Sequence, residues 1–172
     1  SDLKGEAEAL DVLSFILGNG NTSRLYRNLV IEREVAVSAG GWYNGGSLDA
    51  SQFTVYGSPK PGVTLRQLEQ AIDSVIDELL AKGVTTEEVE RTKNRLIADA
   101  VYAQDSQSTM ARWFGAALTT GSTVEMVRSW PERIRAVTAD RVLAAAKTWL
   151  DKKRSVTGYL IKDEAQREDK RS

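Results

Sequence analysis

The 172 residues include no cysteine, so neither a disulfide nor thiolate chemistry is available. Histidine is absent too, and that gap is the more informative one. A zinc hydrolase usually holds its metal with two or more imidazoles, and the common hydrolase triad uses an imidazole as its base. A zinc site here would need carboxylates alone, and no cluster of them offers one. The common hydrolytic chemistries therefore cannot be completed within this chain. No apolar run approaches the roughly 20 residues of a membrane span, and no signal peptide opens the sequence. Charge shows no excess of one sign: 23 Lys and Arg against 24 Asp and Glu leave −1. That removes the electrostatic footprint of a nucleic-acid or anionic-lipid binder. The first residue is Ser1 rather than Met, as expected of a processed or excised piece.

What is present fits one soluble domain. Hydrophobic residues make up 41% and charged residues 27%, an ordinary globular balance. A chain of this length buries about 70% of its unfolded surface and needs no staples. Leu3, Ala7, Leu10, Leu13 and Leu17 recur at helical spacing until Gly18-Asn19-Gly20 stops the helix. Asn21, Thr22 or Ser23 can cap a second helix with Leu25, Leu29 and Val30 facing inward. From Val35 the period falls to two, predicting a strand broken at Gly40-Gly41 and turned at Asn44-Gly45-Gly46. Phe53, Val55 and Gly57 continue the alternation, completing an antiparallel hairpin that ends at Pro59 and Pro61.

A helical half follows. Thr64 with Gln67, and Thr85 with Glu88, have the spacing of capping boxes. The first opens a helix with the stripe Leu65, Leu68, Ile72, Val75, Ile76 and Leu79, closed by Gly83. The second opens a long helix, kinked across the polar stretch 102–109 and ending at Gly121. Shorter helices are expected around Pro131 and after Thr138, then a last strand through Val156, Gly158 and Leu160. The tail 162–172 holds eight charged residues, four of each sign, and is expected to fray. The fold class is α+β, with helices on one face of a small, mostly antiparallel sheet. The domain is expected to span residues 3–161.

Four features invite a functional reading. Gly18-Asn19-Gly20 follows a helix rather than a strand and lacks the remaining residues of either phosphate-binding fingerprint, so it reads as a helix stop. Arg24 and Arg27 open the second helix; Arg27 has the chemistry to bind a substrate carboxylate, but exposed helical arginines are usually only solvated. Glu87, Glu88 and Glu90 sit where a helix N-terminus favours negative charge, and Glu87 and Arg91 have ion-pair spacing. Trp42 and Tyr43, beside paired glycines at a strand end, are the candidate substrate-binding residues, able to grip an extended peptide at a sheet edge. Packing within the hairpin is their plainer role. No catalytic and no metal-ligating residue is assigned.

Three ordered stretches carry a family resemblance. Ile16-Leu17-Gly18-Asn19-Gly20-Asn21-Thr22-Ser23-Arg24-Leu25-Tyr26 resembles the "ILGGG-x-SRLY" segment of pitrilysin-like M16 zinc metallopeptidases. Gly83-Val84-Thr85-Thr86-Glu87-Glu88 with Arg91-Thr92-Lys93 resembles their "GVT-x-EL-x-R-x-K" signature. Ala136-Val137-Thr138-Ala139-Asp140 with Ala146 and Trp149-Leu150 resembles a segment near a domain end. Each half of such an enzyme has two similar α/β domains, the first carrying an H-x-x-E-H zinc motif with a distal Glu. This chain resembles a second domain, lacking the opening strand that such domains usually have, so that a sheet edge is expected to be open. In the partner half an Arg and a Tyr seven apart follow the "SRLY" stretch; alignment from Ser23 places Val30 and Val37 there. Leu29-Val30-Ile31-Glu32 with Val35-Ala36 is more similar to the zinc-bearing half.

The resemblance implies a parent zinc endopeptidase that closes around extended peptides, with zinc held outside this chain. Its implied partners are the peptide substrate, the preceding zinc domain and a second M16 half, fused or separate. It is compatible with a periplasmic location without establishing one. Two other readings remain open from sequence: an inactive M16 subunit with an assembly role, and a free-standing peptide-binding module using an open sheet edge.

Overall fold

The centre of the molecule is a helix hydrophobic on almost every side. The computed structural model describes residues 5–45 and 51–161. In it α1 (Glu6–Gly18) buries Ala9, Leu10, Val12, Leu13, Ile16 and Leu17. Such a helix must be enclosed, and α1 is surrounded by the hairpin and by α4, α7 and α8, described below.

Ser23 is the residue that caps the next helix, its side chain accepting from the Tyr26 amide. That helix, α2 (Arg24–Tyr26), continues as a π-helical stretch, Arg27–Glu32, and together they bury Leu25 and Leu29 completely. Val30 is only partly buried against the core.

Strands β1 (Ala36–Tyr43) and β2 (Phe53–Pro59) pair antiparallel, with Ala39 opposite Gly57, Gly41 opposite Val55 and Tyr43 opposite Phe53. The expected break at Gly40-Gly41 does not occur. The glycines instead admit the end of α1: a Cβ on Gly18 would lie 2.1 Å from the Gly41 nitrogen. A glycine within a strand often marks such a close backbone approach. Gly46, at the expected turn, lies outside the described residues.

The helices α3 (Leu65–Lys82) and α4 (Thr86–Ala103) both open with complete capping boxes, at Thr64–Gln67 and Thr85–Glu88. Each box satisfies amides that a helix start leaves unpaired. The expected kink across 102–109 is a full interruption. The α4 helix ends at Ala103, and Ser106 caps a new helix, α5 (Gln107–Thr119), by accepting from the Thr109 amide. A serine offering its oxygen to nearby amides favours restarting a helix over continuing one. Then come α6 (Val124–Arg128), α7 (Trp130–Arg135) with Pro131 in its first turn, and α8 (Ala139–Trp149) capped by Thr138.

The expected last strand is not formed. Residues 155–161 run irregularly, and Val156 and Leu160 are almost fully exposed. Among the described residues β1 and β2 pair only with each other, so no third strand receives this segment. A polar contact reaches it instead: Tyr159 donates to Glu69 at 2.5 Å, and in the turn just before the segment Lys152 pairs with Asp73. Leu3 and the charged tail 162–172 lie outside the described residues. The architecture is α+β: helices packed on one face of an antiparallel hairpin.

Candidate substrate-facing surface

Alternation along the hairpin sorts its side chains onto two faces. Ala39, Tyr43, Phe53 and Val55 pack toward the helices, and a Cβ on Gly57 would meet Leu68 and Ile72 of α3. The other face carries Trp42 and Tyr56, both about half exposed, with ring centroids 5.7 Å apart and planes inclined at 46°. Tyr56 lies over Gly40, where a Cβ would come within 2.8 Å of its hydroxyl. The glycine thus lets the tyrosine lie flat, and the pair forms an aromatic platform open to solvent.

The two sequence candidates, adjacent in the chain, are therefore on opposite faces. Trp42 is on the open face. Tyr43 is turned toward the helices, its ring stacked on Phe53 with centroids 6.4 Å apart. Burial raises the pKa of its hydroxyl, and Asp11, Glu6 and Glu8 add to the rise, while a hydrogen bond with Ser51 opposes it. The residue that joins Trp42 is Tyr56, which sequence reasoning missed. Its position in the period of β2, one step from Val55, gives its face, and only the register of β1 against β2 sets it beside Trp42.

Behind the hairpin, α1 presents two carboxylates to α7. Glu8 accepts from Arg133 Nε at 2.6 Å, and Asp11 accepts from Trp130 Nε1 at 3.2 Å. Arg133 also donates to the Met126 carbonyl and to Ser129 Oγ. Among the described residues no cation is bonded to Asp11, and burial raises its pKa to about 6. Two neighbouring carboxyls resemble an acid–base pair, yet both are committed to tying α1 to α7.

The other motif residues are likewise committed to structure. Arg24 donates through Nε and Nη2 to the two oxygens of Glu88, at 2.9 and 2.8 Å, and through Nη2 to the Gly83 carbonyl at 2.9 Å. Burial works against the charge on Glu88, but hydrogen bonds from Arg24 and from the Thr85 amide outweigh it and hold the pKa below the usual value. Lys93, 7% exposed, donates to Glu90 at 2.7 Å and to the Val137 carbonyl at 3.1 Å. Thus Arg24 ties the first family-like stretch to the second, and Lys93 ties the second to the third. Arg27 is exposed beside Glu32 at 3.7 Å. The pairing expected between Glu87 and Arg91 is not among the ion pairs of the described residues; Glu88 is the one engaged, by a residue distant in sequence.

The described residues do not fit a zinc site. Among the described residues no three His, Cys, Asp or Glu side chains are grouped so as to hold a metal ion. No described helix is long and apolar enough to cross a membrane.

With that geometry in view, comparison with known proteins is decisive. The family described as the Peptidase M16 inactive domain matches residues 2–96. The chain belongs to the M16 peptidase family, and what it matches there is the inactive domain. A zinc protease of Streptomyces coelicolor, itself uncharacterized, is 30% identical over 150 residues, covering 87% of this chain and 32% of that protein. The inactive peptidase domain of a candidate zinc protease from Bordetella parapertussis superposes with a TM-score of 0.82 at 22% identity, covering 94% of this chain and 86% of that one. A protease from Helicobacter pylori gives a TM-score of 0.79 at 21% identity over 86% of this chain and 35% of its own. The chain therefore spans about a third of the curated relative's length. The three stretches that resemble M16 peptidases are joined by Arg24 and Lys93, which makes them determinants of the fold.

Proposed function

We propose that this chain is the non-catalytic domain of a zinc-dependent endopeptidase that cleaves extended peptides. In this reading it supports the zinc-bearing domain and lines part of the substrate chamber. Zinc and the catalytic groups reside elsewhere in the longer protein, beside a second M16 half. The observation that carries the reading is an inactive-domain family match on a chain whose motif residues Arg24, Glu88 and Lys93 are committed to structure.

Trp42 with Tyr56 is the surface proposed to touch peptide. An exposed aromatic pair offers large, stiff contact area to an extended chain without demanding a particular sequence. Tyr43, reaching the same end of the hairpin from beneath, holds β1 in place against Phe53 and the helices.

The test is a Trp42→Ala substitution in the full-length protein, assayed with an unstructured peptide. Loss of an aromatic contact worth about 0.5–1.5 kcal/mol should raise KM some two- to twelve-fold, with zinc content and melting temperature unchanged. An unchanged KM would remove the platform from substrate binding. A full-length protein that neither holds zinc nor cleaves peptide would favour an inactive subunit with an assembly role.

A further inference from the structure

A cleft of about 240 Å³ opens between the end of α1 and the first half of α4. Phe15 and Ile16 line it from α1, and both belong to the core or pack against it, so this wall is apolar. On the opposite side Glu88, Arg91 and Arg95 line it at i, i+3 and i+7, which is one face of a helix. Arg91 lies in the second family-like stretch, whose Glu88 and Lys93 are engaged in structure.

The charges along this cleft do not balance. Glu88 is already neutralised, because Arg24 Nε and Nη2 donate to its two oxygens. Arg91 and Arg95 have no such partner: among the described residues neither makes a hydrogen bond or an ion pair. Like charges four residues apart on a helix disfavour each other. Arg95 is moreover folded onto the loop rather than extended into solvent. A Cβ on Gly20, where φ is +75°, would lie 3.5 and 3.6 Å from its two terminal nitrogens. The glycine turns the loop beneath the guanidinium. Pockets for drug-sized molecules begin near about 300 Å³, so this cleft suits a single residue-sized group. A bare inorganic anion would have no use for the Phe15 and Ile16 wall, and a purely apolar group would have none for two guanidiniums.

We propose that this cleft binds a carboxylate borne on one apolar residue, the chemistry of a peptide's C-terminal end. Arg91 and Arg95 take the carboxylate, as guanidiniums do with paired N–H donors. The apolar side chain lies against Phe15 and Ile16. Asn19, Thr22 and Thr92, which also line the cleft, are within it to hydrogen bond the preceding peptide group. The site is separate from the aromatic platform, since no lining residue belongs to the hairpin, and its binding needs no zinc.

The test is calorimetric titration of the full-length protein with four probes: N-acetyl-alanyl-leucine, its C-terminal amide, 4-methylpentanoate and inorganic phosphate. The acid should bind about tenfold or more tightly than its amide, and the double variant Arg91→Ala/Arg95→Ala should weaken it by about tenfold or more. An amide that binds as well as the acid overturns the proposal. So does phosphate binding as tightly as the acid, an acid that does not bind, or binding that survives in the variant and so belongs elsewhere in the protein. The source of the carboxylate is decided by 4-methylpentanoate: affinity equal to the dipeptide's assigns the site to a free acid, and weaker affinity assigns it to a peptide end. If the variant folds poorly, phenylglyoxal modification of Arg91 and Arg95 in the unsubstituted protein, followed by mass spectrometry, takes its place. N-acetyl-alanyl-leucine at ten times its Kd should slow both reactions about tenfold, and unchanged rates overturn the proposal.

Discussion

Asp11 shows how a buried group can serve the fold at a cost that depends on pH. Its pKa rises to about 6 mainly because burial disfavours the charged form, with the Trp130 hydrogen bond only partly offsetting this. A carboxyl whose folded pKa lies above its unfolded value contributes stability at low pH that is lost as pH rises through the folded pKa. The window runs from about 4 to about 6, and the full effect is at most about 2–3 kcal/mol. Asp11→Asn keeps an acceptor for Trp130 and removes the charge. Denaturant unfolding should therefore find it more stable than the parent at pH 8, by about 1–3 kcal/mol, and no more stable at pH 4. An identical pH dependence in both proteins would show that Asp11 is not the group responsible. Arg24 has the opposite character, because its partner Glu88 is held ionised and its contribution is lost on acidification. Removing it as Arg24→Ala should cost about 2–3 kcal/mol. Arg24→Lys should recover little, since an ammonium lacks the planar fork whose two nitrogens meet the two Glu88 oxygens while one also reaches the Gly83 carbonyl. Thermal melts of the two variants side by side decide it: full rescue by lysine would mean that charge alone matters.

Among the elements, those legible in the sequence were the ones whose signals are local. Both capping boxes form where their spacing placed them, because a Thr and a Gln or Glu three residues apart meet within one turn. The apolar stripe of α3 and the hairpin pairing were equally readable, since periodicity depends on the element itself. What escaped was decided by neighbours. Gly40-Gly41 read as a strand break, yet those glycines admit the end of α1, a contact that nothing in their own segment encodes. Val156, Gly158 and Leu160 alternate like a strand, but a strand exists only beside a partner, and 155–161 has none among the described residues. For the same reason the aromatic platform was half visible: Trp42 was found, while Tyr56 required the register of β1 against β2. The ties made by Arg24 and Lys93 span 64 and 44 residues and could not be read from spacing. The close approach of α1 to β1 yields its own prediction. A methyl at Gly18 would sit 2.1 Å from the Gly41 nitrogen and 2.5 Å from its Cα, where no flexible side chain can yield. Gly18→Ala should destabilise by about 1–3 kcal/mol or more, although alanine is the better helix former. A melting temperature at or above the parent's would show that helix and strand have room to separate.

At the scale of the whole molecule we propose that the chain is a scaffold. A largely enclosed helix, a hairpin laid on it and a set of capped helices leave the aromatic platform uncommitted. Arg24, Glu88 and Lys93, within the stretches that resemble peptidase motifs, are consumed in joining segments, and no group able to hold a metal exists among the described residues. That division of labour, with chemistry in one part of a longer protein and support in this one, is the central claim. It is tested most directly by measuring zinc and peptide cleavage in parallel on the 172-residue chain and on the full-length protein. The account predicts stoichiometric zinc and cleavage that chelator abolishes in the full-length protein, and neither in the 172-residue chain. Zinc bound stoichiometrically by the 172-residue chain, or cleavage by it alone, would contradict the account.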